Sequence, residues 1–194
     1  LTTLSVLPLI LISGAFANVA LAGPELPEGR YRSDCTPIGK DGRHGFIAEV
    51  TITGRSLAAS AQNYAHNDCD IPTVRVSYEG TIAEVEQDGG ERFDFVQETG
   101  PFDYALLSDD ITAYYNNNSD TAGCGIDDWQ TDVPRNVAGR ICAPFSFPAE
   151  GTLLKDSLWI HDDGIAFGYL PTDWSIHEAY PQGPSVIHFL RVGD

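Results

Sequence analysis

Three pairs of adjacent aspartates, Asp109-Asp110, Asp127-Asp128 and Asp162-Asp163, are the first residues whose types could do chemistry. Two carboxyl groups serve as acid and base, or as nucleophile and acid, only where their surroundings separate their proton affinities. Neighbours in a turn share one wet environment, so these pairs read as solvated turns. His161 beside Asp162 supplies two members of a triad, yet no G-x-S-x-G supplies the serine, and Ser56 in Gly54-Arg55-Ser56 is not such an elbow. The five histidines (His44, His66, His161, His177, His188) show neither H-x-x-x-H nor H-E-x-x-H spacing. A hydrolase is therefore only the third expectation, and no catalytic residue is assigned.

A second pattern is polar and loop-like. In the run from Asn116 to Asp127, Asn116, Asn118 and Asp120 sit at positions one, three and five of a calcium loop, with Asp127 at position twelve. Thr121 stands where such a loop needs glycine, and position twelve is not glutamate. Calcium binding is one expectation and no other cofactor is expected; a solvated Asn/Asp-rich loop is the competing reading. Asn117-Asn118-Ser119 is also a glycosylation sequon, meaningful only in a eukaryotic secretory route.

The cysteines take their meaning from the start of the chain. Residues 1–22 carry no charge, are dominated by an apolar run, and end in Ala20-Leu21-Ala22, with small residues where a signal peptidase reads. A signal peptide over residues 1–22 and one mature domain over 23–194 are expected. Ser13, Gly14 and Asn18 interrupt the run, and no basic flank follows it, which weighs against an uncleaved anchor. Export places Cys35, Cys69, Cys124 and Cys142 in an oxidising compartment, where four cysteines read as two disulfides with three possible connectivities. Pairing of sequence neighbours, Cys35–Cys69 and Cys124–Cys142, is the expectation. A zinc site lacks both a C-x-x-C and histidines at ligand spacing.

The elements that must position these residues read as strands. Phe46, Ala48, Val50 and Ile52 alternate with Glu49, Thr51 and Thr53, the period of two of a half-buried strand. Val74, Val76, Tyr78 and Ile82 share a face of the next long strand, where Gly80 marks a bulge. Further strands are read at 92–96, at 104–115 around Ser108-Asp109-Asp110, at 158–160 and 165–169 flanking Asp162-Asp163-Gly164, and at 186–192. The alanine-rich stretch 57–64 fits a strand of the same meander. A single short helix is expected at 173–180, with Asp173 as N-cap and Trp174, His177 and Tyr180 at helical spacing. Segment 116–147 reads as a long disulfide-pinned excursion. Short strands without amphipathic helices between them exclude a doubly wound α/β fold and leave a sandwich or an antiparallel barrel.

Gly29-Arg30-Tyr31 opens the first strand of the mature chain and Arg191 lies in the last, and this order resembles the lipocalin/calycin pattern. The resemblance implies an all-β, antiparallel up-and-down β-barrel with one short C-terminal helix. It also implies that Gly29, Tyr31 and Arg191 close one barrel end, with tyrosine where the family usually has tryptophan. The Cys35…Cys69 and Cys124-Gly125…Trp129 spacings also resemble small uncharacterised secreted bacterial proteins, which add no activity.

Charge bears on partners. The 194 residues include 28 acidic and 11 basic side chains, a formal net charge of −17. A surface of that sign repels phosphates, so nucleic acid is excluded as a partner, and no membrane insertion of the mature chain is expected. Acidic residues dispersed through every region suit solubility in salt. The reading is an exported, periplasmic or extracellular bacterial barrel. Its first expected role is to bind a small, partly apolar ligand, with Tyr78, Phe93, Phe95, Tyr104, Tyr114 and Trp159 as cavity walls. The alternative is an envelope or surface module that contacts a protein or glycan through 116–147, its barrel packed solid.

Overall fold

A computed structural model describes residues 23–193, so the expected signal peptide lies outside the described residues. Its long strands are β3 (His44–Thr53), β4 (Ser56–Tyr64), β5 (Pro72–Gln87), β6 (Arg92–Leu106) and β10 (Leu153–His161). Shorter ones are β1 (Gly29–Ser33), β2 (Thr36–Ile38), β7 (Arg135–Asn136), β8 (Ile141–Cys142), β9 (Phe145–Ser146), β11 (Gly164–Phe167) and β12 (His188–Val192). One α-helix, α1 (Asp109–Asn117), interrupts them. The staves run β1-β12-β11-β10-β6-β5-β4-β3, and pairing of β1 with β3 (Gly29↔Ile52 through Arg32↔Glu49) closes the ring. The result is an eight-stranded antiparallel barrel, consistent with a calycin-like fold.

Alternation dictates what fills it. Phe46, Ala48, Val50 and Ile52 of β3 are all buried, and Tyr78 and Ile82 of β5 are 2% exposed. The β5–β6 ladder shifts register between Tyr78 and Gly80, where the bulge was expected. β6 is a single strand where the sequence suggested two. Its first part pairs with β10, and Asp103 and Tyr104 pair with β7 instead. Asp162 and Asp163 form the two-residue turn of the β10–β11 hairpin, with His161 opposite Gly164.

The helix is the principal correction. Segment 173–180 is irregular, whereas 109–117, read as strand as far as 115, is α-helical. Ser108 accepts a hydrogen bond from the Ile111 amide, and Asp109 and Asp110 occupy the first turn, where carboxylates complement the helix dipole. These cap signals outweigh the strand propensity of Ile111 and Tyr114. Asp173 caps no helix: it accepts hydrogen bonds from the Ser175 amide and the His177 ring, which fixes a local turn. Pro171 and Pro181 bracket that segment.

The two ends of the barrel differ. At one end lie the tight turns of β3–β4, β5–β6 and β10–β11, together with Tyr31 and Arg191. The Arg191 guanidinium stands 5.7 Å from the centre of the Tyr31 ring, and the Tyr31 hydroxyl donates to the carbonyls of Pro27 and Glu28. Burial raises the Tyr31 pKa, with the nearby Arg191 charge opposing that rise. Gly29 has φ +148°, and a Cβ there would press on Arg191 Nη2 at 3.1 Å and Tyr31 Cε2 at 3.3 Å. A glycine is what lets arginine and tyrosine stack over the first strand. All the long connections gather at the opposite end. They include both disulfides, Cys35–Cys69 and Cys124–Cys142, the pairing of sequence neighbours that was expected. Among the described residues, no helix is long and apolar enough to cross a membrane.

Candidate ligand site at the barrel mouth

At the open end the inward faces of β3, β4 and β5 outlast the core that fills the barrel below. Phe46, Ala61 and Val76 line that space from the staves, and Asn63 stands above Ala61 on the same strand face. Ile38 of β2 adds a wall, and the Cys35–Cys69 disulfide ties the β1–β2 link to the β4–β5 loop beside it. The excursion between β6 and β10 contributes Phe145 and Phe147. The connection 168–187 between β11 and β12, here called the strap, contributes Pro171, Thr172 and Trp174. Together they enclose about 240 Å³.

The cavity has an aromatic floor. Trp174 packs on Tyr78 at 4.6 Å and on Phe102 at 4.9 Å between ring centres, and Phe147 packs on Phe102 at 5.3 Å. Such tilted and edge-on contacts are the favoured geometry for aromatic pairs. Below the floor, the Tyr78 hydroxyl donates to Gln97 Oε1 at 2.7 Å, leaving Gln97 Nε2 buried without a protein partner. Burial raises the pKa of Tyr78, so it stays a neutral donor. No charged side chain lines the cavity. The polar groups in its wall are the Asn63 amide and the Thr172 hydroxyl, which donates to the Tyr169 carbonyl at 3.3 Å.

None of the six aromatic residues named from the sequence lines this cavity. Phe95 and Tyr104 are fully enclosed, Phe93 and Tyr78 nearly so, and they form the packed interior. The Tyr104 hydroxyl meets that of Tyr115 at 2.6 Å, which locks α1 over the barrel. Tyr114 is 55% exposed on the outside of α1. Trp159 faces outward beneath the Arg92 guanidinium at 5.4 Å. Period-two alternation was legible for these strands, but their depth in the barrel was not. Of the residues missed, Phe147, Pro171 and Trp174 lie on irregular segments without a period to betray an inward face, and Phe145 sits on the two-residue strand β9. The Phe145-Ser146-Phe147 alternation was their one signal.

Two of the four calcium-spaced residues make other bonds. The Asn116 side chain accepts from the Trp129 amide at 2.8 Å and donates to the Trp129 carbonyl at 3.0 Å, clamping the excursion to the end of α1. Asn118 Nδ2 donates to the Tyr114 carbonyl as part of the helix end, and Asp120 and Asp127 are exposed. His66, Asp68 and Asp70, on the β4–β5 loop, do converge, with donor atoms within 4.8 Å of one another. All three are exposed. The His66 ring bonds Asp70, and that bond is the main reason the Asp70 pKa is lowered. The three aspartate pairs are exposed in turns and at the helix start. The Ser157 hydroxyl donates to Asp94, which Arg92 holds at 2.8 Å, and no histidine joins them.

A cavity of this kind can desolvate a compact apolar molecule and offer it one or two hydrogen bonds; it holds no acid–base pair. No protein-family model matches the chain, and no curated protein matches it either.

Proposed function

We propose that this chain is an exported, disulfide-stapled barrel protein that binds a small, neutral, mainly apolar molecule at the barrel mouth. The observation that supports it is the cavity beside Trp174, walled by four aromatic side chains and free of charged ones. Sites of this type bury an apolar body and orient it with few polar groups, here Asn63 and Thr172. A cavity of about 150 Å³ accepts benzene, so 240 Å³ suits an apolar body of about ten non-hydrogen atoms, the size of a naphthalene ring, with the rest of a larger molecule reaching out of the mouth. Two disulfides are compatible with passage through an oxidising compartment. The dispersed acidic surface keeps such a protein apart from its neighbours in salt.

The test is titration with the neutral fluorophore N-phenyl-1-naphthylamine. Saturable, one-to-one enhancement that Ala61→Phe abolishes, while leaving the melting temperature within a few degrees, is the expected result. Absence of binding, or binding indifferent to Ala61→Phe, overturns the reading. A second role has one observation behind it: the excursion leaves Val133 and Ile141 41% and 69% exposed, apolar side chains suited to a protein or glycan partner. Double substitution to serine would weaken that contact and leave probe binding intact.

A further inference from the structure

One wall of the cavity differs from the others. The staves are fixed by ladders, whereas Pro171, Thr172 and Trp174 belong to the strap, which contains neither helix nor strand across 168–187. The strap is fastened at its start. Asp156 of β10, 1% exposed, points inward from the position opposite Phe95. Its Oδ1 accepts from the amides of Ser157 at 2.8 Å and Tyr169 at 2.9 Å, and its Oδ2 accepts from the Leu170 amide at 3.0 Å. Gly168 threads between Pro181 and Asp156, and a Cβ there would collide with the Pro181 ring. Pro171 follows the fastened amides directly, and Trp174 comes three residues later.

We propose that Asp156 is the latch of the cavity's movable wall, and that raising the pH releases the strap and speeds ligand exchange. This rests on the ligand-binding reading above. No side-chain charge supports the latch: its hydrogen bonds come from backbone amides alone. Among the charged and titratable groups on the elements packed around it, several are engaged with others. Arg92 and Asp94 of β6 pair with each other, Lys155 of β10 donates to the Glu178 carbonyl, and Asp173 and His177 of the strap pair with each other.

The direction follows from linkage. Burial raises the Asp156 pKa to about 6 from 3.8, and the backbone amides only partly offset this. Release of the strap hydrates the carboxyl group and returns it to its ordinary value. The closed form thus holds the proton more tightly, and it weakens as pH rises past 4. The difference amounts to about a fiftyfold change in the opening equilibrium between pH 4 and pH 7.

The experiment follows hydrogen exchange at the Tyr169 and Leu170 amides in the full mature chain, corrected for intrinsic exchange, across that pH range. Protection falling by about fiftyfold in the wild type, and flat in Asp156→Asn, is expected. The wild-type series alone decides the matter should that variant fail to fold: pH-independent protection of these two amides overturns the latch. Stopped-flow dissociation of N-phenyl-1-naphthylamine should accelerate over the same range. A probe that binds but leaves at a pH-independent rate also overturns it. A probe that does not bind counts against the ligand-binding reading, while amide exchange still decides the latch.

Discussion

Replacing Asp156 by asparagine should change the pH dependence of global stability in a calculable way. In the folded chain the carboxyl group has its pKa raised to about 6, and in the unfolded chain it returns to 3.8. A group whose folded pKa is raised contributes stability that is fully present below the unfolded value and lost as pH rises through the folded value. That separation corresponds to about 3 kcal/mol at neutral pH, most of it lost between pH 4 and pH 7. Asparagine keeps one acceptor oxygen but does not titrate. Urea unfolding followed by tryptophan fluorescence at pH 4, 5, 6 and 7 gives both stabilities by linear extrapolation. Other carboxylates contribute equally to both proteins and cancel in the difference. Wild type minus variant should therefore decline by about 2 kcal/mol across the range. A difference that stays constant with pH, or one that grows, would refute the reasoning, because the buried carboxyl group would then titrate as it does in water.

Other expectations concern the scaffold. By loop-closure entropy, removing Cys35–Cys69 should cost about 4 kcal/mol and removing Cys124–Cys142 about 3 kcal/mol, measured by denaturant unfolding of Cys→Ala pairs. Ser108→Ala should cost about 1 kcal/mol by removing the cap of α1; no change in the urea midpoint would mean that packing alone fixes the helix start. Asn116→Ala unclamps Trp129 and should raise amide exchange in segment 116–129 before it lowers the melting temperature. Since the Asn116 side-chain oxygen accepts from the Trp129 amide, millimolar calcium should leave the melting temperature unchanged. A calcium-dependent rise that Asp120→Ala removes would contradict that.

What the sequence disclosed followed the reach of local rules. Period-two runs such as Phe46–Ile52 exposed the staves, and Gly29, Tyr31 and Arg191 marked how the ring closes, because these features act over a few residues or one stacking contact. The helix was misplaced because Trp174, His177 and Tyr180 mimic a helical face. In the fold, Trp174 is buried in the mouth, Ile176 is 71% exposed, and Asp173 spends its carboxylate on a local turn. The true helix announced itself only through Ser108-Asp109-Asp110, set between residues that favour strands. The cavity was the least legible part. Its walls come from six separate stretches of chain that meet only once the barrel closes, and Asp156 gave no local sign that two amides thirteen and fourteen residues ahead would find it.

The segregation of tight turns to one end and long connections to the other divides the molecule into parts that can change independently. Substitutions or insertions in the 116–147 excursion or in the strap reshape the mouth without touching the Tyr31–Arg191 stack or the ladders that close the ring. Lengthening the Asp162-Asp163 turn, by contrast, shifts the register beside that stack. For an engineer, the mouth is the end on which to graft loops or select new binding specificities, and the stacked end is the one to leave alone.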